Sequence, residues 1–194
     1  VHPLVLITTR DADNLALLKS VALEEIVWIR EMEGSLLAAL ERACLRGPMI
    51  RLALELEQAD HLAAPLHRAL VIACRSERPF RSVAGLAGMV GRDRRTLSTH
   101  WRHAIGSGSS VRLEDFIDWI LLLHAATRWA VGLKATAVAV EMGVHEQTLS
   151  RMAKRLAGRS PSAVRATGRR ELLRSFQDQV VAPLLRKRLS DILQ

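Results

Sequence analysis

A chain of 194 residues with a net charge of +8, half of it apolar and none of it tyrosine, is long enough for one or two small domains with proper cores. Its two cysteines, Cys44 and Cys74, have no CxxC neighbour and form no disulfide framework; they read as reduced, half-buried thiols of a cytosolic protein. The longest apolar run, Trp119 to Leu123, is far too short to span a bilayer, and no signal-peptide pattern is visible.

Charge is unevenly spread. Residues 1–60 hold 6 Lys/Arg against 10 Asp/Glu, whereas residues 61–194 hold 22 against 10. A basic C-terminal portion behind an acidic front points to a polyanion as partner. The plainer alternative is that arginines keep the chain soluble.

In chain order, Pro3 to Thr8 is a compact, β-branched apolar run that reads as a buried strand. Asp11 to Asn14 caps a helix through about Ser20, with Leu15, Leu18 and Val21 on one side. Ile26 to Ile29 is a second strand and Ser35 to Cys44 a second helix, which makes a small β-α-β-α segment with two parallel strands. This order resembles half of a response-regulator receiver domain. The phosphorylation site of such domains is absent, because the first strand ends in Thr8-Thr9-Arg10 and the second in Arg30-Glu31. Asp11 and Asp13 read as helix caps rather than as a metal pair. The segment, residues 1–47, is expected to serve dimerisation or another interaction.

A helical linker follows over residues 48–61, with Met49 to Gln58 helical. Leu62 to Arg75 is a further helix with Leu66, Leu70 and Ile72 facing inward, and Ser76-Glu-Arg-Pro79 breaks the pattern.

The next stretch carries most of the information, because it is repeated. LAGMVGRDRRTLSTHWRHAIG, Leu86 to Gly106, returns 52 residues later as VAVEMGVHEQTLSRMAKRLAG, Val138 to Gly158. The copies share Ala87/Ala139, Gly91/Gly143, Thr-Leu-Ser at 96–98 and 148–150, and the closing glycine. An alanine lets two helices approach, and a glycine four residues on can take the left-handed conformation that turns the chain. Asp93 and His145 stand where a second helix should begin, and aspartate caps such a start well. Leu97 and Trp101, like Leu149 and Ala153, lie four apart and so on an inward face. The opposite face carries Arg94, Arg95, Ser98, Thr99 and Arg102 in the first copy, and Gln147, Ser150, Arg151 and Lys154 in the second.

Between the copies, Gly106 to Ser110 reads as a flexible loop. Leu113 to Val131 reads as a long helix on which Phe116, Trp119, Ile120, Leu123 and Thr127 form one apolar stripe. Glu114, Asp115 and Asp118 enrich its start in acid, as the helix dipole favours.

Residues 62–166 resemble the AraC/XylS-type DNA-binding domain, in which a long central helix joins two helix-turn-helix units. The likeness rests on Leu86, Ala87, Gly91, Leu97 and Trp101 in the first unit. In the second it rests on Val138, Ala139, Gly143 and the run Gln147 to Arg151, closed by Gly158-Arg-Ser-Pro161 and Arg165. Ser160-Pro161 also has a physical reading, a cap followed by proline at the first helical position. The chain departs from the pattern at Ala153, where an aromatic is usual, at Val144 in place of Phe, and at Gly108 to Ser110 in place of Ser-Pro.

The resemblance implies a mainly α fold of tandem helix-turn-helix units joined by a long central helix, and a sequence-specific transcription regulator. It implies recognition helices at about 94–104 and 146–157, base contacts from Arg95, Ser98, Thr99, Gln147, Ser150 and Arg151, and phosphate contacts from Arg94, Arg102, Lys154 and Arg155. Double-stranded DNA is the expected partner, with RNA polymerase and a second copy, joined through the N-terminal segment or the C-terminal helix, as further ones. The expected setting is bacterial and cytoplasmic, at the nucleoid. No nucleophile–base pair, phosphate loop or metal cluster is recognisable, so neither an enzyme nor a cofactor is expected; His100 and His103 lack a third ligand at a matching spacing. The alternatives are a non-specific nucleoid-type binder and a helix-turn-helix adaptor that no longer contacts DNA. Residues 167–194 form a helical extension, with Leu172, Leu173, Phe176, Val180, Leu184 and Leu185 at helical spacing and Pro183 as a kink. Folding back and pairing with a second chain are both open to it.

Overall fold

The computed structural model describes residues 5–9, 25–106, 108–130, 132–167 and 169–186, which form a mainly helical protein with a small β segment at the front. By its contacts the chain divides into two compact units, residues 1–51 and 52–194.

In the first unit, β1 (Val5–Thr8) and β2 (Glu25–Trp28) pair in parallel, Val5 opposite Glu25 and Thr8 opposite Trp28. Val27 is buried. The helix expected over Asp11 to Ser20 lies outside the described residues. After a 3-10 turn at Ile29–Glu31 the chain enters α1, Met32–Glu57. Here the structure corrects the sequence reading: the helices expected at 35–44 and 49–58 are one helix with Pro48 inside it. A proline removes a single backbone donor from the ladder, and the bonds on either side carry the helix across. The stretch 48–61 is therefore the end of α1 and the turn after it, and the boundary between the two units falls within it.

The second unit is helical throughout its described residues. α2 (Ala64–Arg75) starts on Pro65 and buries Leu66, Ala69, Leu70, Ala73 and Cys74. Ile72 lies off that stripe and is only half-buried. α3 (Val83–Met89) and α4 (Arg94–Ile105) form the first helix-turn-helix, and α6 (Ala135–Met142) and α7 (Glu146–Ala157) the second. Between them runs α5, Leu113–Ala130, 18 residues and so about 27 Å long.

The sequence suggests one apolar stripe on α5. Instead it is buried nearly all round, with Ile117, Leu121, Leu122, Ala125 and Ala126 enclosed as fully as Phe116, Trp119, Ile120 and Leu123. Helices of both copies, α2 and the C-terminal segment all pack on it, which is what an all-round apolar helix requires. Thr127 is tolerated inside because its hydroxyl donates to the Leu123 carbonyl at 3.0 Å.

The C-terminal extension belongs to this same core. α8 (Pro161–Thr167) begins as expected, with the Ser160 hydroxyl accepting from the Ala163 amide. α9 (Arg169–Phe176), a π turn at Gln177–Val181 and α10 (Ala182–Leu185) then bury Leu172, Phe176, Val180, Val181 and Leu184. The π turn brings the consecutive residues Val180 and Val181 inward together just before Pro183, where the α-helical ladder has to break. Phe176 sits between two rings of α5, 5.7 Å from Phe116 and 5.9 Å from Trp119, and Phe116 in turn meets Trp101 of α4 at 5.8 Å. The His61 ring nitrogen Nε2, 3.0 Å from the Leu184 carbonyl, fastens the end. Leu173 and Leu185 of the same segment are half-buried.

Candidate nucleic-acid interface

The 52-residue repeat reappears as a repeat of backbone geometry. Gly91 and Gly143 have φ of +62° and +64°, the left-handed region that favours glycine. The amide of Arg92 donates to the Ala87 carbonyl at 3.0 Å, and that of Val144 to Ala139 at 2.9 Å. One residue earlier, Gly91 donates to Gly88 and Gly143 to Val140. These bonds close the first helix of each unit with the same turn, and each second helix starts three residues after its glycine and runs for 12 residues. Leu97 and Trp101 face inward in one copy, Leu149 and Ala153 in the other.

The caps differ. Asp93 accepts from both the amide and the hydroxyl of Thr96 at 2.8 Å, bonds that hold its carboxyl below the usual carboxylate range. His145 makes no such cap. Trp101 donates to the Val111 carbonyl at 2.9 Å, which satisfies its buried ring nitrogen.

The outward faces carry the residues singled out in the sequence. Arg95, Gln147, Arg151 and Lys154 are exposed, and Ser98 and Ser150 half-exposed. Among the described residues none of these six side chains makes an ion pair or hydrogen bond. Thr99 and Arg102 face each other loosely at 3.4 Å.

Two arginines assigned to phosphate are engaged inside the protein. Arg94 pairs with Glu114 at 2.8 Å. Arg155 grips two carboxylates of α5 at once, Asp115 with one nitrogen and Asp118 with the other. Asp115 also accepts from the Arg112 amide at 2.8 Å, a reciprocal cap that starts α5. Burial pushes the Asp118 carboxyl above its ordinary range, while Arg155 beside it pulls the other way. The acidic start of α5, which the sequence suggests as a response to the helix dipole, thus anchors both α4 and α7. Periodicity could not reveal this, because the partners lie 20 to 40 residues apart.

Arg81 is the residue the sequence reading missed. From the loop before α3 it donates to the Gly143 carbonyl at 3.0 Å, across 62 residues and from the first unit to the turn of the second. Arg128 adds a pairing of α5 with Glu141 of α6 at 2.9 Å. Arg81, Ser82, Arg94, Glu114 and Asp118 border one cleft of about 220 Å³, small for an organic ligand.

Other titratable groups are turned inward. Burial pushes the Cys74 thiol up to about 12 and the His124 ring down to about 4, so both stay neutral near pH 7. Cys74 is fully rather than half-buried, and the side chain of Cys44 lies outside the described residues. Among the described residues no three His, Cys, Asp or Glu side chains gather as a metal site needs, and no helix is long and apolar enough to cross a membrane. No protein-family model, curated protein or solved structure matches the chain.

Proposed function

We propose that the protein is a sequence-specific transcription regulator of the AraC type that reads double-stranded DNA with α4 and α7 in successive major-groove segments. The observation that carries this reading is the twice-built turn with two outward faces on which, among the described residues, the side chains of Arg95, Ser98, Gln147, Ser150, Arg151 and Lys154 make no hydrogen bond or ion pair. Arg95 and Arg151 suit guanine, and Gln147 suits adenine, because each offers two bonds to a base edge. Ser98, Ser150 and Thr99 complete the reading faces, and Arg102 and Lys154 supply charge for phosphate. Arg94 and Arg155 leave the phosphate set, since each already has carboxylate partners. The role is non-catalytic, and the setting is the bacterial nucleoid, with RNA polymerase and a second copy, joined through the N-terminal segment or the C-terminal helix, as further partners.

The test is selection from a random duplex library at about physiological salt, with an Arg95→Ala/Arg151→Ala double variant alongside. The expected result is a motif of two half-elements about one helical turn apart that the variant loses. Arg95→Ala alone should cost on the order of 1–3 kcal/mol and relax one base pair. Retention of DNA without any motif would replace this reading with non-specific binding; no retention would replace it with an adaptor role.

A further inference from the structure

We infer that Arg81 and Arg155 are positioning residues that fix the phase between the two recognition helices, and with it the half-element spacing the protein accepts. This rests on the DNA reading proposed above.

The second recognition helix is pinned near both ends to groups outside its own unit. At its entry, the Gly143 carbonyl takes a hydrogen bond from Arg81, which precedes α3. In its last turn, Arg155 reaches back to Asp115 and Asp118 in the first turns of α5. A body held at one point can swing in any direction; held at two, it can only turn about the line between them, which its packing on α5 opposes. Ala153 fills the place that Trp101 occupies in the first copy, and α7 packs closely on α5 there, so the two pins add to that packing.

Both pins are close-fitted. A side chain built on Gly143 would place its Cβ 2.5 Å from Arg81 Nη1, so the guanidinium lies directly on the glycine. Gly91, with the same backbone conformation, has open space around it. The glycine of the second turn therefore serves both the turn and the arginine. At the other end, the Asp115 and Asp118 side chains are only 13% and 20% exposed, so they are screened less than a surface pair. A planar guanidinium can engage two carboxylates together, which a lysine cannot imitate.

The consequence is read in DNA geometry. One added base pair rotates a half-element by about 35° and moves it about 3.4 Å. A rigid pair of heads accepts one spacing, and a pair free to swing accepts its neighbours.

The experiment selects the full chain against a duplex library that holds both half-elements and varies only the number of base pairs between them. Wild type is compared with Arg81→Met, Arg155→Met and the double variant. We expect wild type to favour one spacing by about tenfold or more over spacings one base pair away, and the double variant to flatten this to within about threefold while keeping its base preferences. Arg155→Lys should fall between. Arg81 is exposed, so Arg81→Met tests the idea without endangering the core. Variants that keep the wild-type spacing preference would overturn the inference and leave the DNA reading standing. So would a wild type indifferent to spacing. A wild type that selects no half-elements would overturn both.

Discussion

The two helix-turn-helix copies share a backbone but not the means of holding it. The first has Asp93 capping its second helix, Trp101 filling its base and bonded to Val111, and Arg94 tied to Glu114 of α5. The second has an uncapped start at His145 and a small Ala153 at its base, and it takes its restraint from Arg81, Asp115, Asp118 and Arg128 elsewhere in the unit. A turn can thus be repeated faithfully on the strength of a glycine and a few inward residues, while its support is built from whatever lies nearby.

The comparison is easiest to break at Trp101. Trp101→Ala empties a fully buried site and orphans the Val111 carbonyl, and should cost about 3–5 kcal/mol in urea unfolding. A loss under about 1 kcal/mol would mean that the first copy does not depend on its aromatic base. The next largest effect lies in the paired glycines. Gly91→Ala should cost about 1–2 kcal/mol from the left-handed backbone alone. Gly143→Ala should cost more, because Arg81 has to move, and in an Arg81→Ala background the two glycine variants should become equal. An excess that survives the loss of Arg81 would refute the close fit.

Giving the second copy a cap makes the two more alike. His145→Asp should add about 1 kcal/mol and raise the melting temperature by about 2–4 °C. A fall would show that the position is held for another purpose. The smallest effect is a pH dependence. The Asp93 carboxyl lies below its ordinary 3.8, so the stability it contributes is present above 3.8 and is lost as pH falls through its folded value. Asp118 has the opposite sign: its raised carboxyl takes up a proton first in the folded state, so its term erodes stability as pH rises from 3.8 through the raised value. Melts of Asp93→Asn and Asp118→Asn against wild type between about pH 2 and pH 6 should separate the two slopes.

What the sequence revealed follows from what local order can encode. Glycines at 91 and 143, the aspartate cap, Ser160-Pro161 and the inward spacing of Leu97 and Trp101 all act within a few residues of themselves, and each stands where the repeat suggests. The pairing of Arg155 with Asp115 and Asp118 was not legible, because its face on α7 looks solvated until α5 is packed beside it. Arg81 left no mark, since a lone basic residue before a serine has no periodicity. The C-terminal helices showed their apolar spacing but not its destination, because a stripe says that a face is covered and never by what. Pro48 misled in the other direction, a local break overridden by the helix around it.

The placing of Phe176 also sets an order of events on the ribosome. Both helix-turn-helix copies are synthesised before the ring that lies between Phe116 and Trp119. At about 5–20 residues per second, on the order of a few seconds pass between Gly158 and the arrival of Leu184. During that interval the aromatic surface beneath α4 is open to a chaperone, a protease or another nascent chain. Synthesis through Phe176, rather than completion of either repeat, is what closes it.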